Sequence, residues 1–203
     1  NAATILDLDI AENDSLDGVT FKEPPVKTLF DRIVFNLPND NKISIYFISD
    51  LHYGSPHFNQ KWLDYWFKLI SEDPNYCIVY FLGDMTETAS KKVGASSYGQ
   101  KYTVNEQVDF VVKFIQKVKE LPNTFIRGFC SGNHGDRLKE FDFGLDYEIA
   151  KQAGILNSFV GSQGFDCIEI NGKEYYIYFK HGNGSTKFDY TAKGASVRDS
   201  VYE

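Results

Sequence analysis

The chain has 203 residues, 21 Lys plus Arg against 28 Asp plus Glu, and a formal charge of −7, with 42% hydrophobic and 24% charged residues. This is the composition of a globular chain of about one domain with a sizeable core, and it excludes disordered, collagen-like and disulfide-stapled classes. An acidic balance also argues against binding duplex nucleic acid through a basic face.

The negative charge is concentrated at the start. Residues 1–21 hold Asp7, Asp9, Glu12, Asp14 and Asp17 and no Lys or Arg, so the remainder sets 21 cations against 23 anions. Residues 1–30 therefore read as an acidic N-terminal arm, with Leu6, Leu8 and Ile10 alternating as in a short strand. Such an arm is expected to be solvated, or to contact a partner or another subunit. The body is expected over residues 31–203. The only methionine is Met85, which suggests a processed chain or a fragment.

Next come strands and helices in alternation. Lys42–Ser49, Tyr76–Leu82 and Thr124–Cys130 are short runs rich in β-branched and aromatic residues and are predicted as strands. Asn59–Ser71 is predicted as a helix with Trp62, Trp66, Leu69 and Ile70 on its core face. A second helix carries the stripe Val104, Val108, Val111, Val112, Ile115 and Val118, and Thr103 with Glu106 has capping-box spacing at its start. A third is expected over Leu145–Ala153, ended by Gly154. Phe165–Ile170, Asn171-Gly172 and Glu174–Lys180 read as a β-hairpin on a two-residue turn. The fold class is α/β: a mixed sheet flanked by helices in a sandwich.

No run approaches the roughly 18 apolar residues that span a bilayer, and no basic-then-apolar leader opens the chain. Cys77, Cys130 and Cys167 are dispersed in apolar runs, the pattern of reduced core thiols, which gives the expectation of a cytoplasmic protein without membrane attachment.

Four predicted strands end in polar loops: Asp50-Leu51-His52, Gly83-Asp84, Ser131-Gly132-Asn133-His134 and His181-Gly182. Ligands of α/β sheets bind outside the carboxyl ends of strands, so the four loops can converge. Asp50 and His52, two apart at the extended start of a loop, can share one ion. Asp84 can bridge two, and Asn133 with His181 can begin a second shell. Mixed nitrogen and oxygen donors suit Mn²⁺, Fe or Zn²⁺. Each residue singly is as compatible with a structural role, as caps or core histidines.

Asp-x-His, Gly-Asp, Gly-Asn-His and His-Gly, in this order and each after a strand, resemble the calcineurin-like metallophosphoesterase superfamily over residues 43–182. The resemblance implies a metallophosphoesterase-type α/β sandwich and two divalent ions, Mn²⁺ first, with Fe, Zn²⁺ or Ni²⁺ as alternatives. It makes Asp50 and His52 ligands of the first metal, Asp84 the bridge, and Asn133 and His181 ligands of the second. His134 would face the scissile phosphate and serve the leaving oxygen, and the metals would activate a water for in-line attack. The family's acid after this histidine is replaced by Gly135, so Asp136 or another carboxylate would orient His134. The family's final Gly-His-x-His is missing, as no histidine follows His181. The expectation is a continuation beyond Glu203, or equivalent ligands from another segment.

Asp50-Leu51-His52-Tyr53-Gly54-Ser55 resembles the opening of repair-nuclease members. This favours a phosphodiesterase or nuclease acting on nucleotides or single strands over a protein phosphatase. The other reading is a degenerate scaffold or binding protein that keeps the fold. Arg137 is a candidate phosphate grip or a solvent ion pair, Lys91 and Lys92 candidate substrate contacts, and His57 a surface residue.

Overall fold

The computed structural model describes residues 27–28, 32–38, 42–88, 99–135, 137 and 144–182. The expected arm strand near Leu6, and Asp136, Lys91 and Lys92, lie outside them. The elements in chain order are strands β1 (Lys27–Thr28), β2 (Ile33–Phe35) and β3 (Ile43–Ile48), helix α1 (Gln60–Ser71), strand β4 (Tyr76–Phe81) and helix α2 (Val104–Lys119). Strand β5 (Thr124–Cys130), helix α3 (Leu145–Gln152) and strands β6 (Phe159–Gly161), β7 (Gln163–Ile170) and β8 (Lys173–Lys180) follow.

Local chemistry sets the helix ends. Asn59 accepts from the backbone of Lys61 and Trp62 at the start of α1. At α2, Thr103 and Glu106 form the complete reciprocal capping box. Gly154, at φ +70°, follows α3 as expected. Between β7 and β8, Asn171 and Gly172 both take positive φ, as a type I′ turn demands.

The single mixed sheet anticipated from sequence is two four-stranded sheets. One is wholly parallel, in the order β3-β4-β5-β6. The other joins β8 antiparallel to β7, and β7 parallel to both β1 and β2. The alternation of β4 explains how the layers stack. Cys77, Val79 and Phe81 pack with Val111, Ile115, Leu145 and Ile149 from the helices, whereas Ile78 and Tyr80 face Phe35, Ile168 and Phe179 of the second sheet. Strand β4 is thus buried on both faces, by helices on one and by the second sheet on the other, while Ile45 and Phe47 of β3 remain exposed.

A buried polar clamp ties the two sheets. Asp166 on β7 accepts from Tyr80 Oη of β4 at 2.7 Å and from Arg127 Nε of β5 at 3.0 Å, with a second Arg127 contact making the pair bidentate. A register shift of β5 against Val79 and Tyr80 makes room for this, leaving Arg127 as the extra residue. Gly128 follows because the Phe179 ring stands 2.4 Å from where its Cβ would be.

The core face of α1 differs from expectation. Leu63 and Ile70 are buried, with Phe67 packed against the same cluster, while Trp62 is 60% and Trp66 38% exposed. The indoles lie one helical position off the face that meets the sheet. Cys77 and Cys130 are core thiols as anticipated, and Cys167 is only partly buried. His57 is exposed, as expected. No helix among the described residues is long and apolar enough to cross a membrane.

Candidate metal centre

The loops after β3 and β4 run side by side. Asp50 N donates to Gly83 O at 3.2 Å, His52 N to Asp84 O at 3.0 Å and Tyr53 N to Met85 O at 3.1 Å. This ladder is unusual in its backbone: Asp50, His52 and Asp84 have φ of +56°, +46° and +52°. Non-glycine residues held left-handed cost on the order of 1–3 kcal/mol each and persist where surrounding structure over-determines them. Asp50 and His52 therefore converge through left-handed turns, not through the extended loop start anticipated. Their side chains still meet, with Asp50 Oδ1 3.5 Å from His52 Nε2.

Asp84 is the focus of the site. It is 4% exposed, and its Oδ1 accepts from His134 N at 2.8 Å. That bond turns Oδ2 toward three imidazoles: His181 Nε2 at 3.3 Å, His134 Nε2 at 3.8 Å and His52 Nε2 at 3.9 Å. Close approach of the loops makes this possible only with glycines. A Cβ on Gly132 would stand 2.1 Å from both Asp84 N and Oδ1, and one on Gly83, at φ +87°, would stand 2.6 Å from Gly132 Cα.

His181 is held by Nδ1–H donated to Leu82 O at 2.6 Å. Its other ring nitrogen, Nε2, faces Asn133 Oδ1 at 3.0 Å and Asp84 Oδ2 at 3.3 Å. An imidazole nitrogen, an amide oxygen and a carboxylate facing one another are groups that together can hold a cation, and the residues fit that use. Among the described residues, His and Asp side chains group as two overlapping triads, Asp50–Asp84–His181 and His52–Asp84–His134, that share Asp84, each with potential ligand atoms within 4.8 Å of one another. All five predicted ligand residues are thus brought to one place. Asp50 also stands 3.5 Å from His52, the pair expected to share one ion, and His181 3.0 Å from Asn133, the pair expected to share the other.

His134 donates Nδ1–H to Glu87 O at 2.6 Å, and its Nε2 meets Arg137 Nη2 at 2.6 Å. Burial pushes its pKa below the ordinary imidazole value; nearby Asp84 opposes this, while His52 and Arg137 add to it. Neutral His134 is consistent with an Nε2 that accepts from a guanidinium. The Arg137 guanidinium is anchored by Nη1, which donates to Glu87 O at 2.8 Å.

Three residues escaped sequence reasoning. Asp146 of α3, 3% exposed, accepts from Gly132 N at 3.2 Å and packs against Gly135, so a carboxylate does meet this loop, from another segment. Glu87 holds His134 through its carbonyl and brings its carboxylate to 3.4 Å from His52 Nδ1. Gln107 of α2, fully buried, accepts from Glu87 N and Thr88 N at 3.0 and 3.1 Å and donates to Gln100 Oε1 and Tyr102 O. Only Gln107 left a trace in the sequence, as an amide directly before the stripe position Val108.

No protein-family model matches this chain, and no curated protein matches it.

Proposed function

We propose that this chain is the core of a two-metal phosphoesterase of the calcineurin-like metallophosphoesterase type, acting on phosphodiesters, nucleotides or single-stranded nucleic acid in preference to phosphoproteins. One observation carries the reading: five mixed nitrogen and oxygen donors, Asp50, His52, Asp84, Asn133 and His181, converge around Asp84 Oδ2 at the ends of four strands. The two-sheet sandwich with helices on one face and the site at the strand ends supports the same fold assignment. Two divalent ions, Mn²⁺ first among them, would supply positive charge to the phosphate and acidify a water for attack.

The protein's own groups take the remaining tasks. Asp84, fixed by the His134 amide, holds the centre together. His134 and Arg137 form one wall of it, the imidazole beside the leaving oxygen and the guanidinium as a cation for a phosphate oxygen. Preference for a diester rests on the likeness of residues 50–55 to repair nucleases and on the near-neutral body, which suits short or single-stranded substrates better than duplex. On this reading, ligands equivalent to the family's final histidine pair would come from a continuation of the chain or from another segment.

The test is hydrolysis of bis-p-nitrophenyl phosphate and p-nitrophenyl phosphate by the full gene product with Mn²⁺, Fe²⁺, Zn²⁺ or Ni²⁺. Manganese-dependent cleavage that favours the diester, reduced at least a hundredfold in Asp84→Asn and strongly in His134→Ala, is the expected result. A protein that binds no divalent ion and cleaves neither ester overturns it in favour of a scaffold.

A further inference from the structure

We propose that the Glu87 carboxylate is a positioning residue for His52, accepting its Nδ1–H so that Nε2 points at the metal position; this rests on the two-metal reading above. The motivating observation is an orphan. Among the described residues, His52 Nδ1 is the one buried side-chain nitrogen or oxygen with no hydrogen-bond partner. An unpaired buried polar nitrogen costs on the order of 1–3 kcal/mol, so a compensating partner is expected nearby.

Glu87 Oε2 is 3.4 Å from that nitrogen, a few tenths of an ångström beyond hydrogen-bond range. The carboxylate also lies 3.9 Å from His134 Nδ1, but that nitrogen is already bonded at 2.6 Å to the Glu87 carbonyl. His134 needs no second acceptor, which leaves the carboxylate for His52. One residue therefore holds two imidazoles from two different atoms, with ring centroids 4.4 Å apart.

Its own placement is rigid. Gln107 Oε1 grips the backbone N–H of Glu87 and of Thr88, and Glu87 N also donates to Tyr53 O at 3.0 Å. With Nδ1–H committed to Glu87, the His52 Nε2 lone pair faces Asp50 Oδ1 at 3.5 Å and Asp84 Oδ2 at 3.9 Å. A metal-binding histidine whose other nitrogen donates to a carboxylate has its tautomer and ring angle set before the ion arrives. Loss of such a partner typically costs about 10- to 100-fold in affinity.

The experiment compares the full-length protein with Glu87→Ala and Glu87→Gln. Mn²⁺ affinity is measured by titration calorimetry, and the His52 tautomer by long-range ¹H–¹⁵N correlation of the Zn²⁺-loaded and metal-free proteins. The expected result is a 10- to 100-fold weaker Mn²⁺ affinity in Glu87→Ala, partly restored in Glu87→Gln, whose amide oxygen still accepts. His52 is expected to be Nδ1-protonated in the unsubstituted protein and to lose that preference in Glu87→Ala. Equal affinities, or an Nε2-protonated His52 in the unsubstituted metal-free protein, overturn the proposal while leaving the two-metal reading intact. An unsubstituted protein that binds no metal overturns both.

Discussion

Asp146 Oδ2 occupies the place of a side chain at Gly135: a Cβ there would lie 2.0 Å from the oxygen. The same oxygen accepts from Gly132 N, so one carboxylate from α3 shapes both ends of the loop that carries Asn133 and His134. Gly135→Ala is expected to destabilise the fold by about 1–3 kcal/mol through overpacking. Asp146→Ala loses the acceptor instead. In a double-mutant cycle read by chemical denaturation, the pair should cost less than the sum of the single variants by more than about 0.5 kcal/mol. Additive losses would mean that the two residues do not meet.

The Gln107 amide holds the segment that carries Glu87. Gln107→Leu keeps the shape of the buried side chain but leaves the Thr88 N–H without its acceptor and the Glu87 N–H with Tyr53 O alone. For one stranded buried donor, about 1–3 kcal/mol should be lost. Amide hydrogen exchange at Glu87 and Thr88 should quicken at least tenfold relative to the β4 amides. An unchanged ratio would show that the amide does not hold this segment.

Between the sheets, Asp166 answers both Arg127 and Tyr80. Asp166→Ala should cost about 3–5 kcal/mol because it removes the carboxylate that the mostly buried Arg127 guanidinium grips bidentately, whereas Tyr80→Phe should cost only about 1 kcal/mol. An Asp166→Leu/Arg127→Met double variant should be more stable than Asp166→Ala. The ordering of guanidinium midpoints checks this, and a double variant less stable than Asp166→Ala would refute it.

Burial pushes the Cys77 thiol up to about 11 and the Cys130 thiol up to about 12, from an ordinary 9.0. Both groups are raised in the folded state, so their stabilisation is full below pH 9 and falls as pH climbs toward 12. The urea midpoint of the unsubstituted protein should therefore drop more between pH 8 and pH 10.5 than that of Cys77→Ala/Cys130→Ala. Iodoacetamide at pH 8 should leave Cys77 and Cys130 unmodified in the folded chain, as mass spectrometry would read. Equal slopes and rapid labelling would place these thiols outside the core.

Much of the candidate site was legible because each donor directly follows a strand whose composition marks it. Asp50, His52, Asp84, Asn133 and His181 needed only the rule that loops at one end of a sheet converge. Glu87 and Asp146 were not legible. Glu87 reaches His52 across 35 positions and Asp146 reaches Gly132 across 14, and neither spacing carries a periodic signal.

The helices divide along the same line. Sequence alone determined that Gln60–Ser71 and Val104–Lys119 are helical, that Thr103 and Glu106 box the start of the second, and that Asn171-Gly172 turns a hairpin, because caps, turns and periodicity act within a few residues. Tertiary structure decided which face of α1 is inside. Trp62, Leu63, Trp66 and Phe67 offer two apolar stripes one position apart, and packing on the parallel sheet took Leu63 and Phe67. It also decided that β7 pairs with β1, β2 and β8 as a second sheet, and that the resulting clamp of Asp166, Arg127 and Tyr80 lies between layers. Those choices compare contacts between distant segments, whose free energies exist only once the chain has closed the loops between them.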